Sequence, residues 1–278
     1  MSAHDGTGYA SYEQRWLAAQ PHNAIVAVFL PEPLRARAAA FGTLVHELAD
    51  TAFNAREAQA AAAKLAWWQQ ELHDAAQGRA RHPIAQALFA DAAIRALDVQ
   101  LWPAIAAGAA AQIDAPGAGT LTQSRAQLAA LHRPVAQAQA ALLGVADADS
   151  EHDATLWSVA HWLDSVPTLR PDMARLPLPL DLLARHGLAR PDLAHASPQR
   201  NALLRDWLEQ LAELHRAARS AGRPRAVPLR VRARLDANRI AVALRAPDAL
   251  AWLQSRPQPG RWESLWAAWR EARAAALG

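Results

Sequence analysis

The chain contains no cysteine and a single lysine, Lys64. The first absence excludes disulfides, thiol nucleophiles and thiolate-held metals. The second leaves nearly all positive charge to arginine. Long apolar runs are also missing. The strongest near the start, Ala24 to Leu30, is far short of the ~20 residues that span a bilayer. No basic stretch followed by an apolar one opens the chain, so the sequence reads as cytoplasmic, with peripheral contact to a membrane surface left open. The eleven histidines include no HExxH or HxxxH spacing, which argues against a zinc enzyme. No GxSxG, GxGxxG or P-loop is present. Arginines are interleaved with acids at a net charge of +3, so no nucleic-acid-binding stripe forms. The one dense basic run, Arg223 to Arg234, reads as a solvated surface, or as a contact for anionic lipid or a diphosphate.

What the chain does have is alanine, leucine and arginine, with few β-branched residues. At 278 residues and 52% hydrophobic it can bury a substantial core, and the composition predicts an all-α protein. Helices are expected at about 13–19, 33–54, 57–76, 83–97, 101–113, 120–143 and 152–166. Pro83 fits the first turn of its helix, where its missing N–H is not needed. A proline-rich region, 167–198, holds one short helix near 181–185, and long helices follow at about 198–221 and 262–275. The segment Leu229 to Leu244 is ambiguous, because LRVRARL alternates like a strand. Trp67 and Trp68 read as core, and the stripe Trp262, Trp266 and Trp269 reads as packing rather than an aromatic nucleic-acid platform. His82, His161 and His186 read as structural.

Three signatures sit at fixed spacing between residues 29 and 88. They are an FLP with Arg35 four residues past its proline, the run KLAWWQQEL (Lys64 to Leu72), and HPIAQAL (His82 to Leu88). Their order resembles the N-terminal half of the squalene/phytoene synthase family, the head-to-head prenyl transferases. A second stretch, ARLPLPLDLLARHGL (Ala174 to Leu188), is similar to that family's GRxYLPxxLLxxHGL. The layout extends over about 12–220, is specific for 29–88, and leaves 225–278 uncovered. The resemblance implies one domain over 1–278, folded as an isoprenoid-synthase helical bundle around a central cavity. It also argues for helix at Leu229–Leu244.

In that family a DDxxDE motif on the helix after FLP binds Mg²⁺ and the substrate diphosphate. Here the six residues are Ala49-Asp50-Thr51-Ala52-Phe53-Asn54. Positions i and i+4 share a helix face, and paired carboxylates there chelate a hard cation. The paired acids correspond to Ala49 and Phe53, and the arginine three residues earlier to His46. Asp50 is the acid that carries over. Glu47, Asp50, Asn54 and Glu57 form a neighbouring polar stripe, which is either the solvated side of the helix or a weak DxxxN metal site of Asp50 and Asn54. The second acidic motif falls at about Val166 and Arg170, neither acidic, with Asp164 and Asp172 close by. Arg175 matches the arginine before the family's YLP and is the expected diphosphate contact with His46.

Two functions follow. In the first, the acidic motifs are eroded and the protein is a non-catalytic homologue that binds an isoprenoid lipid or a protein partner. The family includes such homologues, among them a mitochondrial assembly factor for respiratory complex I. In the second, it is a divergent Mg²⁺-dependent prenyl transferase acting on farnesyl or geranylgeranyl diphosphate.

Overall fold

The computed structural model describes residues 5–170, 173, 176–220 and 225–276, and all regular structure among them is helical. The first seven α-helices are α1 (Asp5–Ala19), α2 (His22–Val28), α3 (Glu32–Asn54), α4 (Ala58–Ala76), α5 (Pro83–Phe89), α6 (Ala92–Arg95) and α7 (Leu101–Ala110). The second seven are α8 (Leu121–Leu142), α9 (Ser150–Ser165), α10 (Leu180–Arg185), α11 (Pro198–Ser220), α12 (Val227–Ala243), α13 (Ala249–Ser255) and α14 (Arg261–Ala276). Short 3₁₀ turns occupy Val166–Thr168 and Arg190–Ala194.

Two apolar cores flank a central space. One joins α3, α4, α5, α7 and α8 around Leu44, Leu65, Trp68 and Trp102. The other joins α8 through α13 around Trp162, Leu182, Trp207 and Leu250. Phe53 of α3 touches both.

The N-terminal signatures are joints of this scaffold. In FLP, Pro31 precedes α3 and Pro33 lies in its first turn. Arg35 turns back, its Nε donating to the Leu30 carbonyl (2.7 Å) and Nη2 to that of Val28 (3.1 Å). One carbonyl ends α2 and the other lies in the turn before α3, so one guanidinium closes the α2–α3 corner. In KLAWWQQEL, Glu71 is fully buried and accepts from the backbone N–H of Arg81 (2.6 Å) and His82 (2.7 Å) and from Arg81 Nε (3.1 Å). His82 then caps α5 by accepting from Ile84 N–H through Nδ1 (3.2 Å), and its Nε2 faces the Tyr12 hydroxyl. Its ring packs 4.5 Å from that of Trp68. Spacing between WW and HP is thus set by one carboxylate that must reach the turn before α5. Trp68 is core as expected, but Trp67 is 41% exposed and lies outside it.

Close helix approach is bought at one glycine. Pro134 inside α8 has no N–H for the Ala130 carbonyl, and Gly108 of α7 lies against that carbonyl. A Cβ at Gly108 would sit 2.2 Å from the oxygen.

Some expectations need correction. The helix expected over 83–97 is two, because the Asp91 side chain accepts from Ala93 N–H and starts α6. The helices α2 and α13, seven residues each, were too short to show a period. The ambiguous segment is helix α12. Its buried residues include Leu229, Val231, Arg232, Leu235, Asp236 and Arg239, a face that mixes apolar and charged side chains and so shows no apolar stripe. The tryptophans of α14 point outward, with Trp262, Trp266 and Trp269 at 83%, 60% and 41% exposure. Small residues face inward instead: Ser264, Ala267 and Ala268.

Replacing Glu71 with alanine strands three donors at the α4–α5 joint and is expected to cost about 3 kcal/mol. Trp67→Ala should cost about 1 kcal/mol or less. Urea midpoints of the two variants check the contrast, and equal losses would contradict the assignment of Glu71 as the joint.

Candidate ligand cavity

The space between the cores is a cavity of about 1370 Å³, walled by α1, α2, α3, α8 and α9, with contributions from the start of α4, the segment after α7, α12 and the segment after α9. Most of its lining is apolar, including Val45, Ala49, Phe53, Leu128, Leu131 and Trp162.

The α3 wall carries the sequence candidates. Ala49 and Phe53 line the cavity, and the Phe53 ring lies 4.2 Å from that of His161 on α9. Asp50 and Asn54 also line it and are solvent-exposed, with Asn54 Nδ2 donating to Asp50 Oδ1 at 2.9 Å. His46 lines it half-buried. Burial pushes its pKa down, against the raising effect of Asp50 and Glu47, so it is neutral at pH 7 and offers a hydrogen bond rather than a charge. Glu47, one position along, faces away. It is buried and accepts from Lys64 Nζ (2.7 Å), with Arg15 at 3.5 Å, tying α3 to α4 and α1.

The α9 wall carries Asp164. Its carboxylate accepts from Arg232 Nη2 (2.9 Å) and Arg239 Nη1 (3.0 Å), both on α12. Arg232 Nε donates in turn to Asp236 (2.9 Å). Burial opposes the charge on Asp164, but the two guanidiniums outweigh it and hold the carboxyl below its usual range. Two cations and two anions make the cluster neutral within itself. Its neighbour on α2, His22, is buried, and its pKa is lowered to about 3, by burial first and then by Arg232.

Val166 is fully buried in the 3₁₀ turn, and Arg170 lines the cavity. Asp172 and Arg175 lie outside the described residues. Thus Asp50, Asn54, His46 and Asp164 share one volume. Among the described residues no group of three or more His, Asp or Glu side chains is placed to hold a metal ion. The sequence reading missed His22 and the α12 arginines. Arg232, Asp236 and Arg239 at i, i+4 and i+7 were the available signal, hidden because their segment had no clear period. His161, read as structural, lines the cavity, while His82 and His186 serve joints, the latter 3.3 Å from Asp206.

Over residues 18–263 the sequence matches the family model described as squalene/phytoene synthase. The chain belongs to the squalene/phytoene synthase family. Its fold is that of a dehydrosqualene synthase solved in complex with ligand, with TM-score 0.72 and 14% identity over 99% of this chain and 98% of that one. It is also similar to the squalene synthase HpnC from Alicyclobacillus acidocaldarius, with TM-score 0.57 and 16% identity over 100% of this chain and 96% of that one. No curated protein matches the chain in sequence. No helix among the described residues is long and apolar enough to cross a membrane.

Three buried histidines tie stability to pH. His22 is held at about 3, His215 at about 4, and His132 well below its usual value, each chiefly by burial. Each is neutral when folded and protonates on unfolding below pH ~6.5. Their contribution is therefore complete above that pH and is lost as pH falls toward their folded values. The expected slope is up to about 1.4 kcal/mol per histidine per pH unit. Urea midpoints at pH 7 and pH 5 read it, and a midpoint unchanged across that range contradicts neutral burial.

Proposed function

We propose that this member of the family binds an isoprenoid lipid in its central cavity and does not ionise a prenyl diphosphate. Asp164 carries this reading: the acid that α9 presents to the cavity is already neutralised by Arg232 and Arg239. On the facing α3 wall, Ala49 and Phe53 occupy the positions where the family's paired acids stand, leaving Asp50 with the amide of Asn54. One exposed carboxylate and one engaged carboxylate do not fit a Mg²⁺–diphosphate cluster, which needs hard anionic oxygens on both walls. Neutral His46 adds no cationic charge for the phosphates. Without that neutralisation the leaving group loses several kcal/mol of stabilisation, which is orders of magnitude in rate.

The cavity itself suits a long apolar chain. Its volume of about 1370 Å³ exceeds the usual range for small-molecule pockets, and the walls are largely aliphatic and aromatic. Held there, an isoprenoid would stack along Phe53, Trp162 and Leu128, and its polar end would meet the exposed Asp50–Asn54 side. Such a protein acts as a lipid carrier or as an assembly component with a protein partner.

A divergent Mg²⁺-dependent prenyl transferase is the second reading, favoured by Asp50, Asn54 and Asp164 lining one volume. Diphosphate release from farnesyl and geranylgeranyl diphosphate, with and without Mg²⁺, separates the two. No metal-dependent release is expected, and Asp50→Ala should bind farnesol as the parent does. Ala49→Trp, which fills the cavity, should weaken farnesol binding at least tenfold. Metal-dependent release that falls in Asp50→Ala carries the transferase reading instead.

A further inference from the structure

The helix α14 is turned inside out relative to an ordinary surface helix. At ~100° per residue, Leu265, Trp269, Trp262, Arg273 and Trp266 fall in that order within about 100° of arc. All are exposed, and Ser264, Ala267, Ala268 and Glu271 on the opposite side are buried. The rings of Trp266 and Trp269 stack at 5.1 Å, and the Arg273 guanidinium lies 5.5 Å over Trp269. Large apolar side chains are normally the ones a helix buries, and a contiguous exposed group of them marks a contact surface.

A second feature flanks the same helix. A pocket of about 370 Å³ is lined by Arg219, Arg225, Arg230, Arg234 and Arg270 together with Glu271. Glu271 pairs with Arg230 (3.0 Å) and Arg234 (2.5 Å), and Arg225 pairs with Asp153 (2.7 Å). Arg219 and Arg270 form no ion pair among the described residues. Five guanidiniums face two carboxylates, so the pocket carries an excess of three positive charges. Its charge suits an anionic phosphate group.

We infer that α14 and this arginine pocket form a docking surface for an anionic phospholipid bilayer, the tryptophans seated at the interface and the pocket taking a lipid phosphate. Indole rings with an apolar body and one N–H donor settle at headgroup depth, and arginine stems lie along the apolar layer while their heads stay with phosphates. An interfacial helix of this kind needs an apolar face flanked by cations, which α14 has without being long or apolar enough to span. A protein partner or a second copy would bury the aromatic face equally well, but would leave the excess charge of the pocket unmatched unless it brought its own acids. Charge complementarity favours the bilayer.

Co-sedimentation of the full chain with phosphatidylglycerol–phosphatidylcholine vesicles, and with phosphatidylcholine alone, tests this. Binding is expected with the anionic vesicles and at least tenfold less with the neutral ones. The variant W262S/W266S/W269S should lose at least tenfold, and R219E/R270E should lose binding to anionic vesicles in particular. These side chains are exposed, so both variants should keep the parent's circular dichroism. Parent protein that stays in the supernatant overturns the inference, as does binding that survives the tryptophan variant. Light scattering that shows a dimer abolished by the tryptophan variant, without vesicle binding, assigns the face to a second copy and overturns it too.

Discussion

Two buried arginines on α12 converge on Asp164 and decide how the C-terminal helices meet the cavity. Arg239 also donates to the Pro257 carbonyl (3.0 Å), and Arg232 to that of Ala160 (3.2 Å), so α9, α12 and the α13–α14 connection share one network. Burying four charges is costly, and their mutual attraction repays it only when every donor geometry is good. Drawing Asp164 toward an outside cation would weaken its contacts to both guanidiniums, leaving Arg232 to Asp236 and Arg239 to the Leu163 and Pro257 carbonyls. Structural cohesion and metal binding compete for the same carboxylate.

That competition gives the cavity its character. The α3 wall is apolar at the turn facing α9, and the α9 wall is electrically closed. Of the polar groups that line the space, His46, Asp50 and Asn54 lie along α3, with Asp50 and Asn54 exposed to solvent. A hydrocarbon chain meets little desolvation penalty on the apolar part of these walls.

The N-terminal half was legible because its motifs encode local joints. Arg35 reaches five and seven residues back, and Glu71 reaches ten and eleven ahead, so sequence spacing and spatial geometry are nearly the same quantity. The place of Ala49 and Phe53 on the cavity wall was legible for the same reason, since they sit at i, i+4 on one helix. The partners of Asp164 were not: they are 68 and 75 residues away, and the buried face of their helix itself carries Arg232, Asp236 and Arg239, which breaks the apolar period that sequence reading relies on. The α14 tryptophans had a perfect helical stripe, but periodicity identifies a face without saying which way it turns. Only the neighbours on α2 and α12, which accept Ala267 and Ala268 at close range, settle that.

The scarcity of lysine has one more consequence. Groups that ordinarily change charge above neutrality are cysteine, lysine and tyrosine, and this chain has none, one and two of them. Burial pushes Tyr9 up to about 12. Guanidiniums, which make every other basic side-chain contact apart from histidine, keep their proton throughout the alkaline range. The ion pairs of the fold therefore retain both partners as hydroxide rises, while acid removes the carboxylates and charges the histidines. The protein is built as an asymmetric material: tolerant of alkali and vulnerable to acid.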